Sequence, residues 1–147
     1  MQTAENVARW FLNRNDVKVI LGEADYISNL KLQKLLYYAQ GINLALYDEP
    51  LFADEIVAWE YGPVVRDVYQ AYCHNGADGI KVFCEPAENF SERDEGVLQF
   101  TYKAFGQFSA WKLVDMTHNE MPWKATPKNA TITHDKIKKF FTENYVE

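Results

Sequence analysis

The sequence contains little cysteine, glycine and proline, with 2, 7 and 5 residues of each in a chain of 147. Two cysteines, Cys73 and Cys84, do not make a disulfide framework, and a chain long enough to bury a sizeable core does not need one. Few glycines and prolines, together with 48% hydrophobic residues, exclude collagen-like repeats and intrinsic disorder. We therefore expect a globular protein with two free thiols.

Long hydrophobic runs are also missing. No stretch is long enough to cross a bilayer, and the N-terminal sequence MQTAENVARWFLNRND interleaves charged and apolar residues instead of presenting the apolar core of a signal peptide. These features predict a soluble cytoplasmic protein that does not associate with membranes.

Basic residues are outnumbered, with 15 Lys and Arg against 21 Asp and Glu and a net charge of −6. Nucleic-acid binding needs clustered positive charge, so we expect no direct nucleic-acid contact. The segment from Asp48 to Glu60 holds five carboxylates and no Lys or Arg. It is either a solvated face that keeps the protein soluble or a landing surface for a basic partner.

Motifs for metal binding and catalysis are absent from the sequence. Cys73, His74, Cys84 and His118 do not have the paired spacing of zinc ligands, so we expect no metal and no other cofactor. His118 and Glu120 could form an acid–base pair, although neither GxSxG nor HExxH accompanies them. A small hydrolase using this pair is one alternative. The structural interpretation is that His118 bonds the last carbonyls of a helix.

Apolar residues recur at helical spacing, and turn or capping residues separate the helical segments. The predicted N-caps are Thr3, Ser28 or Asn29, Ser91, Ser109 and Thr133. A third helix is predicted from Pro63 toward His74, because proline suits the first helical position. Short strands, or a small hairpin, are predicted near 55–60 and 80–84. The expected fold is mainly α with a minor β component: a single compact domain, 1–147, of about six helices.

The second predicted helix carries polar residues within its apolar sequence. Lys34 lies among leucines and tyrosines, so it either snorkels, with its stem covering apolar surface, or contacts a partner. Tyr37 and Tyr38 point to different sides, so at least one is expected at the edge of the core with its hydroxyl paired. Farther along the chain, alternation around Glu60 predicts that Trp59 points inward and Tyr61 toward solvent.

Four segments together carry a family resemblance. They are LKLQKLLYYAQG at 30–41, PLF at 50–52, AWEYGPVV at 58–65 and THNEMPW at 117–123. In this order, the segments resemble the Panacea domain of SocA-like antitoxins, a family also labelled phage-associated GepA. The resemblance covers nearly the whole chain.

The resemblance implies a bacterial or prophage antitoxin that is not an enzyme. Such a protein neutralises a toxin, encoded by the adjacent gene, by direct protein contact. One branch of the family consists of proteolytic adaptors that deliver the toxin to the ClpXP protease, and this is the main alternative mechanism. A DNA-binding autoregulator is a weaker possibility, because the sequence is acidic.

For an antitoxin, we expect a preformed apolar and aromatic patch near the second helix and the Gly62–Pro63 turn. Acidic residues around this patch would speed the approach of a basic toxin. The predicted partner-binding residues are Lys34, Tyr37, Tyr38, Glu60, Tyr61, Gly62, Pro63 and His118.

Overall fold

The computed structural model describes residues 1–75, 79–81 and 86–146. Within these residues it contains seven α-helices, one 3₁₀ turn and one antiparallel pair of strands. In chain order, they are α1 (Ala4–Ile20), α2 (Asn29–Tyr47), β1 (Val57–Trp59), β2 (Gly62–Val64), α3 (Arg66–Tyr72), the 3₁₀ turn Cys73–Asn75, α4 (Glu92–Phe105), α5 (Ala110–His118), α6 (Met121–Lys124) and α7 (His134–Asn144). The predicted mainly α fold with a minor β component is confirmed. Residues 82–84 of the strand predicted near 80–84 lie outside the described residues.

Local sequence determines where five of the helices begin. At each start, a Ser or Thr oxygen accepts a hydrogen bond from the backbone N–H three residues later, which stabilises the helix by about 1 kcal/mol. The five capping residues are Thr3, Ser28, Ser91, Ser109 and Thr133. All five predicted caps are confirmed, and the choice between Ser28 and Asn29 is resolved in favour of Ser28.

The centre of the molecule is α2, which is buried from Leu32 to Leu44 and packs against α1, α4, α5, α7 and β2. Gly41 lies directly against the Phe141 ring of α7, where a Cβ atom would have no room. Because Gly41 has no side chain, α7 can approach α2 closely at this point. The helix ends at Tyr47, and Asp48 takes a left-handed conformation with a φ of 56°.

The prediction that the third helix begins at Pro63 is wrong, since α3 begins at Arg66 and Pro63 lies in β2. Pro63 is opposite Ala58. On the other side of β1, the Ala58 N–H donates to the Ala130 carbonyl, and the Ala58 carbonyl accepts from the Asn129 N–H. Because Ala58 makes no ladder hydrogen bond toward Pro63, the missing N–H of proline leaves no partner unpaired.

The last residues of α1 lie at the surface. The helix extends through Val17 to Ile20, and the side chains of these two residues are exposed. Gly22, with a φ of 74°, follows the end of the helix. Cys73 is a free, exposed thiol, whereas Cys84 lies outside the described residues. Among the helices that the structure describes, none is both long and apolar enough to span a bilayer.

Candidate protein-binding site

The turn between β1 and β2 is held by the helices that follow it in the chain. Trp123 Nε1 donates a hydrogen bond of 2.8 Å to the Trp59 carbonyl. His118 Nε2 donates one of 2.9 Å to the Glu60 carbonyl, which requires the ring proton on Nε2. The rings of His118 and Trp123 stack with their centroids 4.2 Å apart. The backbone of the hairpin tip is therefore fixed while the Glu60 side chain stays exposed.

The other side of the hairpin is held by α2. Lys34 Nζ donates to the Pro63 carbonyl at 3.2 Å, and Gln33 Oε1 accepts from the Val65 N–H at 2.9 Å. Gly62 has a φ of 108°, and a Cβ atom there would lie 2.7 Å from Thr117 Oγ1 and 2.8 Å from Lys34 Cε. A glycine is thus required where the hairpin passes between α2 and α5.

Lys34 is fully buried, so the prediction that it snorkels to solvent is wrong. Burial lowers its pKa from the usual 10.5 to about 7. No carboxylate among the described residues forms an ion pair with it, and the Pro63 carbonyl is its hydrogen-bond acceptor. The amine stabilises one position of the hairpin, but its protonation in this environment is costly.

The second buried polar cluster is centred on Glu120. Tyr37 and Tyr38 donate to its two carboxylate oxygens at 3.0 and 2.9 Å, and Tyr145 donates a third bond of 2.6 Å. Tyr37 and Tyr38 are fully buried with paired hydroxyls, so neither lies at the edge of the core. Burial raises the pKa of Glu120, and the three tyrosine hydrogen bonds partly offset that rise. Burial and the Glu120 charge raise the pKa of all three tyrosines.

Beside the hairpin lies a groove of about 510 Å³, called here the hairpin groove. It is lined by Asn29, Leu30, Trp59, Glu60, Tyr61, Val64, Tyr69, Cys73, Trp111, Lys128 and Asn129. Tyr61 and Trp111 are 49% and 61% exposed, and their rings meet edge to face with centroids 5.4 Å apart. Two large aromatic side chains in contact at the surface are characteristic of protein interfaces.

Three of the five carboxylates between Asp48 and Glu60 already have partners within the chain, so they are less available to a basic partner protein than the sequence indicates. Asp48 pairs with Lys138 at 2.7 Å, and Glu49 pairs with Arg93 at 2.7 Å. Asp54 accepts a hydrogen bond from the N–H of Ala4, the first residue of α1. Of the five carboxylates, Glu55 and Glu60 remain without an ion pair or hydrogen bond from the described residues, and Glu60 lines the hairpin groove.

The described residues do not contain an evident catalytic arrangement around His118 and Glu120. His118 is occupied by the Glu60 carbonyl and Glu120 by three hydroxyl groups, and no hydrogen bond joins the two side chains. Within the described ranges, no group of three or more His, Cys, Asp or Glu residues is placed to hold a metal ion. Instead, His118 holds the hairpin backbone in place, and Glu120 holds the hydroxyl groups of three tyrosines.

The predicted partner-binding residues fall into three sets. Glu60 and Tyr61 are exposed at the hairpin tip, as the alternation predicts for Tyr61. Gly62, Pro63 and the half-buried His118 position that tip. Lys34, Tyr37 and Tyr38 have no exposed surface, so in this conformation they could affect a partner only through the groups that they hold. Partner binding by all eight stays a prediction.

Two features of the site were not predicted from the sequence. Trp59 is half-buried and lines the groove, instead of belonging to the core. Trp111 was missed, although its position in α5 offered a signal, because it falls outside the buried stripe of Leu113, Val114 and Thr117. A tryptophan on the polar face of an amphipathic helix is a candidate contact residue.

Comparison with known proteins gives two matches. The family model of the antitoxin SocA-like Panacea domain matches residues 32–124. Antitoxin SocA from Caulobacter vibrioides (strain NA1000 / CB15N) is 32% identical over 111 residues, which is 66% of this chain and 58% of that protein. The match therefore spans less than two thirds of the relative's length. No solved structure matches. Because the family model covers well over half of the sequence, this chain belongs to the SocA-like antitoxin family with a Panacea domain.

Proposed function

We propose that this chain is an antitoxin that acts in the bacterial cytoplasm by binding and masking a toxin protein encoded by the adjacent gene. Membership of the SocA-like family supports an antitoxin role. The observation that carries direct binding is the contact between Tyr61 and Trp111 at the mouth of the hairpin groove, where both residues are exposed.

The hairpin groove has the properties of a preorganised protein interface. Its aromatic residues supply large contact areas with few rotatable bonds, which is why such residues dominate binding energy at interfaces. The backbone carbonyls of Trp59, Glu60 and Pro63 are already fixed by side chains from α6, α5 and α2. Little ordering of the hairpin backbone is therefore required when a partner binds.

Co-expression in bacteria tests the proposal. The neighbouring reading frame should arrest growth when expressed alone, and co-expression of this chain should restore growth. Trp111→Ala should reduce the affinity for the purified toxin at least tenfold, since loss of an interface aromatic anchor costs about 2 kcal/mol. The matched control is Phe100→Ala, which removes an aromatic side chain of similar exposure from α4, away from the groove.

Either of two results would contradict the proposal. The neighbouring product is harmless alone, or it stays lethal although this chain is present and folded. Toxin half-life separates masking from proteolytic delivery. Under masking, the half-life is the same in cells with and without ClpXP, whereas delivery predicts rapid loss of the toxin that depends on ClpXP.

A further inference from the structure

We infer that the hairpin groove recognises a protein segment in which a cationic side chain, arginine or lysine, lies next to a large apolar residue. This inference rests on the proposed function, because it specifies the chemistry of the toxin segment that binds. The apolar residue would enter the groove, and the cation would lie between the Glu60 carboxylate and the exposed rings of Tyr61 and Trp111.

The interior of the groove suits an apolar side chain. Trp59 and Tyr69 meet edge to face with centroids 5.1 Å apart, and Leu30 and Val64 also line the space. The volume of about 510 Å³ is large enough for one bulky side chain together with part of the backbone that carries it. Binding would remove the apolar surface of a leucine or phenylalanine from water, which favours association.

The mouth of the groove suits a cation. Glu60 is exposed, has no ion pair among the described residues, and extends from a backbone that His118 and Trp123 hold in place. Beside it, Tyr61 and Trp111 present ring surface, and aromatic faces attract guanidinium and ammonium groups. A carboxylate beside exposed aromatic rings therefore attracts a cation in two ways.

The same arrangement already holds a cation elsewhere in this molecule. The Arg93 guanidinium lies 4.3 Å from the Tyr47 ring centroid and is 2.7 Å from Glu49 Oε2. Tyr47 and Glu49 thus provide a ring and a carboxylate for an arginine of the same chain. Tyr61 and Glu60 offer the corresponding groups, but no arginine of the described residues occupies them.

The remaining charge at the groove limits what can bind. Lys128 also lies in the lining and repels any cation, so the groove suits at most one basic residue, held against Glu60 and the aromatic rings. Glu60 and the net charge of −6 oppose a nucleic-acid strand on the aromatic rings. A peptide with one cation beside an apolar side chain satisfies both constraints.

Short capped peptides test the inference directly on the whole chain. The probes are Ac-Ala-Arg-Phe-Ala-NH₂ and two analogues in which norleucine or glutamate replaces the arginine. Binding is followed by NMR through the indole N–H signals of the four tryptophans at millimolar peptide. The arginine peptide should shift the Trp59 and Trp111 signals, leave Trp10 unchanged, and bind several-fold more tightly than the norleucine peptide, with the glutamate peptide weakest.

Two variants test whether the Glu60 carboxylate causes the preference for arginine over norleucine. Glu60→Gln should abolish the advantage of arginine over norleucine, whereas Glu92→Gln, an exposed carboxylate on α4, should preserve it. The inference is overturned if the arginine peptide shifts neither indole, if charge makes no difference, or if Glu60→Gln leaves the preference intact.

The co-expression assay distinguishes failure of this inference from failure of the antitoxin role. If the chain rescues growth but the peptides give a negative result, the antitoxin role stands and the proposed chemistry of recognition is wrong. If the peptides bind as expected but the neighbouring product is not neutralised, the cation site stands and the antitoxin role is wrong.

Discussion

At the scale of single residues, Lys34 illustrates how a buried charge can oppose stability at neutral pH. Its pKa is about 7 in the folded chain and near the usual 10.5 when the chain unfolds. Between these two values the unfolded chain holds a proton that the folded chain has released. The destabilising effect is thus fully present below pH 7 and diminishes as the pH rises toward 10.5.

We predict that the free energy of unfolding rises by about 2 kcal/mol between about pH 7 and pH 9 in the natural chain. Lys34→Met should remove most of this rise and stabilise the protein at pH 7 by about 1 to 3 kcal/mol, because it removes a buried amine that has no ion pair among the described residues. The gain is smaller than the full desolvation cost because the Pro63 carbonyl loses its donor. Urea denaturation at several pH values measures both quantities.

Lys103→Met is the matched control, because Lys103 is an exposed lysine of α4. It should leave both the stability at pH 7 and its slope with pH close to those of the natural chain. If the slope persists in Lys34→Met, another group causes it. The raised pKa values of Tyr37, Tyr38 and Tyr145 affect stability only above about pH 10, outside this window.

Gly62 gives a second prediction at this scale. Gly62→Ala forces an L-residue to adopt a φ of 108° and brings its Cβ against Thr117 and Lys34. We expect it to destabilise the fold by about 2 to 4 kcal/mol and to weaken the proposed binding of a toxin by displacing the hairpin tip. Gly96→Ala is the opposite case, since its Cβ would meet open space on α4. That change should stabilise the helix by about 0.5 to 1 kcal/mol, as thermal unfolding would show.

At the scale of elements, Glu120 connects three helices. It is the N-cap residue of α6, and its carboxylate accepts hydrogen bonds from two tyrosines of α2 and from Tyr145 at the end of α7. None of these contacts could be predicted from spacing, because the partners lie 25 to 83 residues away along the chain. The sequence identified Glu120 only as a candidate acid.

We predict that Glu120→Gln destabilises the protein by about 1 to 3 kcal/mol, because one amide oxygen cannot accept the three bonds that the carboxylate accepts. Tyr145→Phe removes a single bond and should cost about 1 kcal/mol. Chemical denaturation at pH 7 ranks the two variants. Equal stability of Glu120→Gln and the natural chain would show that the cost of burying the carboxylate cancels its hydrogen bonds.

The pH dependence of this cluster has the opposite sign to that of Lys34. Burial raises the pKa of Glu120 above 4.5, so the stability that its protonated form adds is fully present below that value and is lost as the pH rises through the raised pKa. Glu120→Gln should abolish this loss, which denaturation between about pH 4 and pH 7 would reveal.

The capped helix starts could be predicted from local sequence, whereas the strand position of Pro63 could not. Helix starts depend on a hydrogen bond between residues three apart, so Thr3, Ser91 and Thr133 were identified correctly. The strand conformation at Pro63 depends instead on contacts with Lys34 and Ala58, which no local sequence pattern reveals. Proline is equally compatible with a helix start and with a strand position that makes no ladder bond.

At the scale of the whole molecule, the sequence predicted where the candidate site lies better than it predicted which residues form that site. Glu60 and Tyr61 were placed correctly beside a turn, because alternation and the Gly62–Pro63 pair are local signals. Trp111 joins Tyr61 only after α5 has packed against β2, and such tertiary contacts are not encoded in either segment alone.

The boundaries of the folding unit provide the last prediction. The family match covers 32–124 and thus omits α1 and α7, yet both helices pack against α2. Phe141 of α7 lies against Gly41 and Tyr37, and removing α7 would expose this part of the core. We therefore propose that 1–147 is a single domain, and we expect a 32–124 fragment to be unfolded or aggregated by circular dichroism and NMR.

A point variant tests the same packing without truncation. Phe141→Ala should destabilise the full chain by about 3 to 5 kcal/mol, because it empties the space between Gly41, Tyr37 and Tyr38. Phe140→Ala, a neighbour that is only half-buried, should cost less. Cooperative unfolding of the isolated 32–124 fragment, at a stability near that of the full chain, would show instead that α1 and α7 are additions to a smaller core. Since α2 is buried on every side by elements from both ends of the sequence, we expect the whole set of helices to unfold in one transition.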